Sequence, residues 1–122
     1  MSSIDAEIER SHFKTLTLAY MSFVRQNRGN GPKTIEEFEQ YVGDNYDAYL
    51  KRNEISLSDL FISPRDGQPF VFVLKQKRGS ETGEVVAYEQ EGVGGRRLVG
   101  DRSGTVEELD EELFQRMLSG NL

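Results

Sequence analysis

The sequence predicts an α+β domain, with helices gathered in its first half and an antiparallel sheet in its second. Three observations carry this expectation. Apolar residues near the N-terminus recur at steps of three to five, the spacing of one helix face. From Ser63 onward the chain breaks into short β-rich runs separated by glycine turns. An acidic, amphipathic segment then closes it around Asp110 to Leu118.

Ile4, Ile8, Phe13, Leu16, Tyr20, Phe23 and Val24 mark the stripe of a long first helix, regular from Phe13 onward. The run Arg28-Gly29-Asn30-Gly31-Pro32 should end that helix near Asn27. A second helix starts at Thr34. Thr34 and Glu37 have capping-box spacing, so hydroxyl and carboxylate can satisfy free amides of the first turn. Ile35, Phe38, Tyr41 and Val42 form its apolar face. Tyr46, Tyr49 and Leu50 suit a short further helix, and Leu57, Leu60 and Phe61 cover a core edge.

Ser63-Pro64-Arg65-Asp66-Gly67 reads as a tight turn: proline pre-sets φ and glycine supplies φ > 0. Phe70, Phe72 and Leu74 then fall on one strand face, Val71 and Val73 on the other. A strand apolar on both faces is expected inside the sheet. Val85 to Tyr88 form a second strand beyond the loop Lys77 to Gly83. Arg97, Leu98 and Val99 form a third, beyond Gly92-Val93-Gly94-Gly95, and Ser103-Gly104 turns the chain into a short fourth at Thr105-Val106. Short connections make this a three- or four-stranded antiparallel meander.

Asp110 is the expected N-cap of the closing helix, with Leu109 and Phe114 at the spacing of a hydrophobic staple. Glu111 and Glu112 complement the helix dipole, Leu113, Met117 and Leu118 continue the stripe, and Gly120 stops it. The chain is therefore read as a single α+β domain over residues 1–122. Its helical half spans about 4–61, and its sheet plus closing helix about 68–118.

The 122 residues suffice for a real core, and 7 Phe and 5 Tyr argue against disorder. A net charge of −6 gives no long-range attraction to nucleic acid or anionic lipid. With no cysteine, disulfides and thiolate metal sites are excluded. The longest nearly apolar run, Leu16 to Val24, falls far short of the roughly 20 residues of a membrane span. No signal peptide is readable at the start.

Motifs of chemistry are sparse. His12, the single histidine, has no cysteine, second histidine or serine motif to work with, and is expected to be a surface or half-buried residue. Glu107, Glu108, Asp110, Glu111 and Glu112, with Asp101, could suggest a cation site, but the spaced pattern of a calcium loop is absent. Helix capping and solubility are the expected roles. Gly92, Gly94, Gly95, Gly100 and Gly104 match no phosphate-loop motif and are expected at hairpin turns. Lys75, Lys77, Arg78, Arg96, Arg97 and Arg102 form the basic cluster, expected to gather on one sheet edge and block unwanted strand pairing.

Leu16, Leu18, Ala19, Tyr20 and Phe23, then Gly29 and Pro32, then the capped helix from Thr34 through Phe38 form a pattern similar to the soluble parts of bacterial pseudopilin-like proteins. The runs SPRDGQPF, VVAYEQEGVGGRRLV and GTVEELDEELFQRML resemble C-terminal halves of planctomycete-type exported proteins. The resemblance implies a long N-terminal helix packed on a small antiparallel sheet, and a place in the cell envelope. Ser2 to Glu9 carries neither the family's apolar anchor nor its peptidase site.

The expected function is accordingly non-enzymatic: a pseudopilin-like domain acting through contacts with other proteins, with no cofactor, placed at the envelope or exported if the chain is a fragment of an anchored precursor. Lys75, Arg96 and Arg97, or the face of the first helix, are the candidate contacts. The alternative is a small cytoplasmic adaptor or regulator, dimerising through Tyr20, Phe23 and neighbouring apolar residues.

Overall fold

The computed structural model describes residues 3–74 and 85–118. In chain order it runs through α1 (Ser3–Gln26), α2 (Ile35–Asn45), α3 (Asp47–Arg52), α4 (Leu57–Leu60), β1 (Val71–Phe72), β2 (Val85–Tyr88), β3 (Arg96–Asp101), β4 (Val106–Asp110) and α5 (Glu111–Leu118). The strands form one antiparallel sheet in the order β1-β2-β3-β4. This is the α+β meander expected from short connections.

The local signals act as read. α1 closes with the amides of Asn27 and Gly29 bonded to the carbonyls of Phe23 and Val24. Thr34 Oγ1 accepts the Glu37 N–H at 3.1 Å, while the Glu37 carboxylate accepts from Lys33, one residue earlier than a capping box requires. Asp110 caps α5 by accepting the Leu113 N–H at 2.8 Å, and Leu109 and Phe114 share one apolar cluster as a staple demands.

Cross-strand register sorts the side chains onto two faces. Phe72, Ala87, Gly100 and Val106 form one row; Val71, Tyr88, Val99 and Glu107 form the next. The first row meets the helical half, where Phe13, Leu16, Tyr20, Phe38, Val42, Leu60, Phe61 and Leu98 are buried with it. Phe38 lies at the centre, its ring 4.9–6.5 Å from those of Tyr20, Phe23, Phe61 and Phe72. The second face holds a smaller cluster of Val85, Val99 and Phe114 under α5. A bulge between Val85 and Ala87 places both Val86 and Ala87 in the helical-half cluster, while Val85 joins the other.

Five expectations need correction. β1 is an edge strand, not an interior one; its two apolar faces arise because Phe72 is buried in the helical-half core while Val73 packs on the α5 cluster. Leu74 lies beyond β1 and is exposed, off the face it was expected to share with Phe70 and Phe72. The fourth strand is longer than expected and takes in Glu107 and Glu108, which pair in register with Val99 and Leu98. Gly100 is a strand residue, not a turn: Thr17 of α1 packs so close that a Cβ there would overlap its side chain. Tyr20 and Phe23 are buried in the helical-half packing, so they offer no dimer surface. Tyr20 also donates its hydroxyl to the Val73 carbonyl at 2.5 Å, and burial pushes its pKa up to about 12.

Candidate functional site

The turn Ser63–Gly67 is locked by backbone bonds from Gly67 to Ser63 (2.8 Å) and from Ser63 to Gln68 (2.9 Å), with Gly67 at φ 71°. It is also fastened to the β2–β3 hairpin. Asp66 accepts the amides of Gln68, Glu91 and Gly92 at 2.9–3.0 Å. Burial alone would raise the Asp66 pKa, but these amide bonds outweigh it and hold the carboxyl below its ordinary value.

Beneath the turn lies a polar network that no motif announced. Glu89 is fully buried. Its Oε2 accepts the Ser63 hydroxyl at 2.6 Å and Arg65 Nε at 3.1 Å, and its Oε1 accepts the Leu98 amide at 2.6 Å. Arg65 reaches on to Glu108 at 2.7 Å, which Arg96 holds at 3.2 Å from its other side. Burial opposes the Arg65 charge, yet its two carboxylate partners prevail and raise its pKa. The Arg65 hydrogen bond in turn keeps Glu108 below the ordinary carboxylate value. Ser63 is 1% exposed, so this serine–carboxylate pair has no access to a substrate. What it can do is pin the turn to the sheet.

The described members of the basic cluster do not lie on an edge strand. Arg96 and Arg97 stand where β3 begins and Arg102 just past its end, and β3 is interior to the sheet. Arg97 bonds to Glu111 and to the carbonyls of Glu89 and Gln90, and its guanidinium sits 4.6 Å from the centre of the Phe114 ring. Arg96 is more open but already engages Glu108. Lys75, with the loop Lys77 to Gly83, lies outside the described residues.

His12 is half-buried, and its Nδ1 meets the Tyr49 hydroxyl at 2.6 Å. Burial lowers its pKa, favouring the neutral ring. It borders an open cleft of about 310 Å3 with Ile55, Asp59, Leu60, Ile62, Pro64 and Phe70. Neither Asp66 nor Asp101 lines it. Asp101 instead ties the β3–β4 turn together, one oxygen accepting from the Ser103 amide and hydroxyl and the Thr105 amide. Among the described residues, no three of the His, Asp and Glu side chains converge as metal ligands.

A second hollow, of about 370 Å3, opens on the outer side of α1. Leu18, Met21, Ser22 and Arg25 line it from the helix, Tyr46 from the α2–α3 junction, and Arg102, Ser103 and Gly104 from the β3–β4 turn. Gly104, at φ 83°, lets that turn approach: a Cβ would stand 2.7 Å from a Leu18 methyl. Leu18 remains 46% exposed.

Comparison with family models, with curated proteins and with solved structures finds no match. Among the described residues no helix is long and apolar enough to cross a membrane. Sequence reasoning placed Ser63 and Arg65 in a turn but missed Glu89. A signal was present: the alternation from Ala87, continued one residue past β2, carries Glu89 onto the same core-facing side.

Proposed function

We propose that this is a non-enzymatic protein-binding domain of pseudopilin-like layout, working at the cell envelope through the outer face of α1. The observation that carries the reading is Leu18, an apolar side chain left open on a helix whose Phe13, Leu16, Ala19 and Tyr20 are buried in the core. Together with Met21 it floors a concave surface suited to a partner's side chain. The layout of a long N-terminal helix on an antiparallel meander supports the pseudopilin-like part. Arg96 is the weaker contact, because its guanidinium already holds Glu108, and Arg97 is weaker still.

The test is a photo-cross-linking residue at Leu18 in the native gene product, expressed in its own cells, with exposed Gln40 as control position. Discrete protein adducts from position 18 alone, in the envelope fraction, are expected. Adducts from a cytosolic protein would favour the adaptor alternative, and no adduct at Leu18 would remove this surface.

A further inference from the structure

The cleft of about 310 Å3 beside His12 shares no lining residue with the hollow at Leu18. His12 reaches it from α1, Ile55 from the connection before α4, Asp59 and Leu60 from α4 itself, and Phe70 from the residue before β1. Phe70 is buried, its ring stacked 4.5 Å from that of Phe13, which makes this wall a fixed aromatic surface. Ile62 nevertheless stays 38% exposed at the same cleft. A concave, mainly apolar surface of this size with a few polar groups is the usual form of a small-molecule site.

The polar groups narrow the ligand. Asp59 supplies the one carboxylate of the lining, and it is exposed. Among the described residues no cation pairs with it; Ser56 meets its backbone amide, not its side chain. Arg65, beside the lining residue Pro64, is held by Glu89 and Glu108. His12 does not cancel the charge either. Its Nδ1 is taken by the Tyr49 hydroxyl, and burial lowers its pKa, favouring the neutral ring. Among the described residues no three ligating side chains converge, so a bare metal ion finds no cage here.

We infer that the cleft binds a small organic amine, its ammonium on the Asp59 carboxylate and its aromatic or branched hydrocarbon body against Ile55, Leu60, Ile62 and Phe70. The charge selects the cation and the walls select the body. The inference stands apart from the protein-binding reading. A ligand here touches α1, α4 and the start of the sheet together, so binding also raises the stability of the folded chain.

The probe is phenethylamine titrated into the 15N-labelled chain. Its comparators are 2-phenylethanol without the charge, 3-phenylpropanoate with the opposite charge, and ethylamine without the body. Phenethylamine should shift the amides of residues 12, 55–62 and 70 to saturation and raise Tm. It should bind about fivefold or more tightly than each comparator. Asp59→Asn should abolish its preference over the alcohol, and Ile62→Ser should weaken amine and alcohol alike. Asp59→Lys should reverse the order in favour of 3-phenylpropanoate, a gain that a misfolded chain could not give. Both positions are exposed, so the remaining amide spectrum reports that each variant is folded.

Absence of saturable shifts, or shifts centred on the acidic residues of α5, would overturn the inference. So would equal binding of the alcohol or of ethylamine, or an undiminished preference in Asp59→Asn. The ligand series on the unaltered chain decides the matter even where a variant fails to fold. Failure of the Leu18 cross-links would leave this result standing, because the two sites have no residue in common.

Discussion

The two faces of the sheet are built on different scales. The helical-half face buries aromatic residues from α1, α2 and the strands around Phe38, and is finished at one end by the Ser63–Glu89–Arg65 network. The α5 face holds Val85, Val99 and Phe114, covered at its rim by the half-exposed Arg97. One face is a core in the full sense. The other is a cap, held by one helix of eight residues and one staple. The contrast teaches that stability here resides with the helical half, while the closing helix mainly shields the sheet from water.

Truncation should measure the contrast directly. Phe38→Ala is expected to cost about 5 kcal/mol, and Phe114→Ala about 3 kcal/mol, because the thinner face can collapse around the gap. Urea unfolding of both variants checks this; equal losses would abolish the distinction between core and cap. Glu89→Ala should fall between the two at about 3–4 kcal/mol, since it strands the buried Ser63 hydroxyl, the Leu98 amide and part of the Arg65 charge. A loss under about 1 kcal/mol would mean that water enters the network and replaces the carboxylate.

Gly100→Ala tests how closely α1 is seated. Overpacking against Thr17 should cost about 1–3 kcal/mol. Thr17→Ala in the same chain should recover part of that loss, giving a non-additive pair in a double-mutant cycle. Additivity would show that the helix shifts freely. On the opposite face, Arg97→Ala should cost only about 1 kcal/mol by thermal melting, as a cation–π contact at the rim.

The smallest effect is the pH dependence, and it too should single out the helical side. His12, Glu108 and Asp66 have folded-state pKa values below their ordinary 6.5, 4.5 and 3.8. Each therefore adds stability that is present above its ordinary pKa and lost as pH falls through it towards the folded value. Acidification should destabilise the protein first below about pH 6.5 through His12, then below about 4.5 through the carboxylates. Amide exchange is expected to rise near α3 and the Ser63–Gly67 turn before it rises in α5. A uniform rise would argue that the protein opens as one unit.

Much of the fold was legible because its signals are local. The helix stop after Gln26, the caps at Thr34 and Asp110, the SPRDG turn and the staple from Leu109 to Phe114 each depend on residues within about five positions of one another. The candidate surface was only half legible. Leu18 stands off the apolar stripe of the first helix, but nothing local says how open it stays. The partners that decide this, Tyr46 and the turn Arg102 to Gly104, are far along the chain.

The sequence by itself determined the succession of helices and strands, the absence of thiol chemistry and the antiparallel pairing of β2, β3 and β4, whose short glycine connections leave no room for a crossover. Tertiary structure alone decided that β1 lies at an edge, that Gly100 makes room for Thr17, and that Glu89 is buried beneath Arg65. It also divided the arginines, committing Arg97 to the fold and leaving Arg25 to face solvent. The physical reason is the same in each case. Caps and turns are fixed by backbone hydrogen bonds between near neighbours, whereas burial and charge pairing depend on which distant surfaces meet.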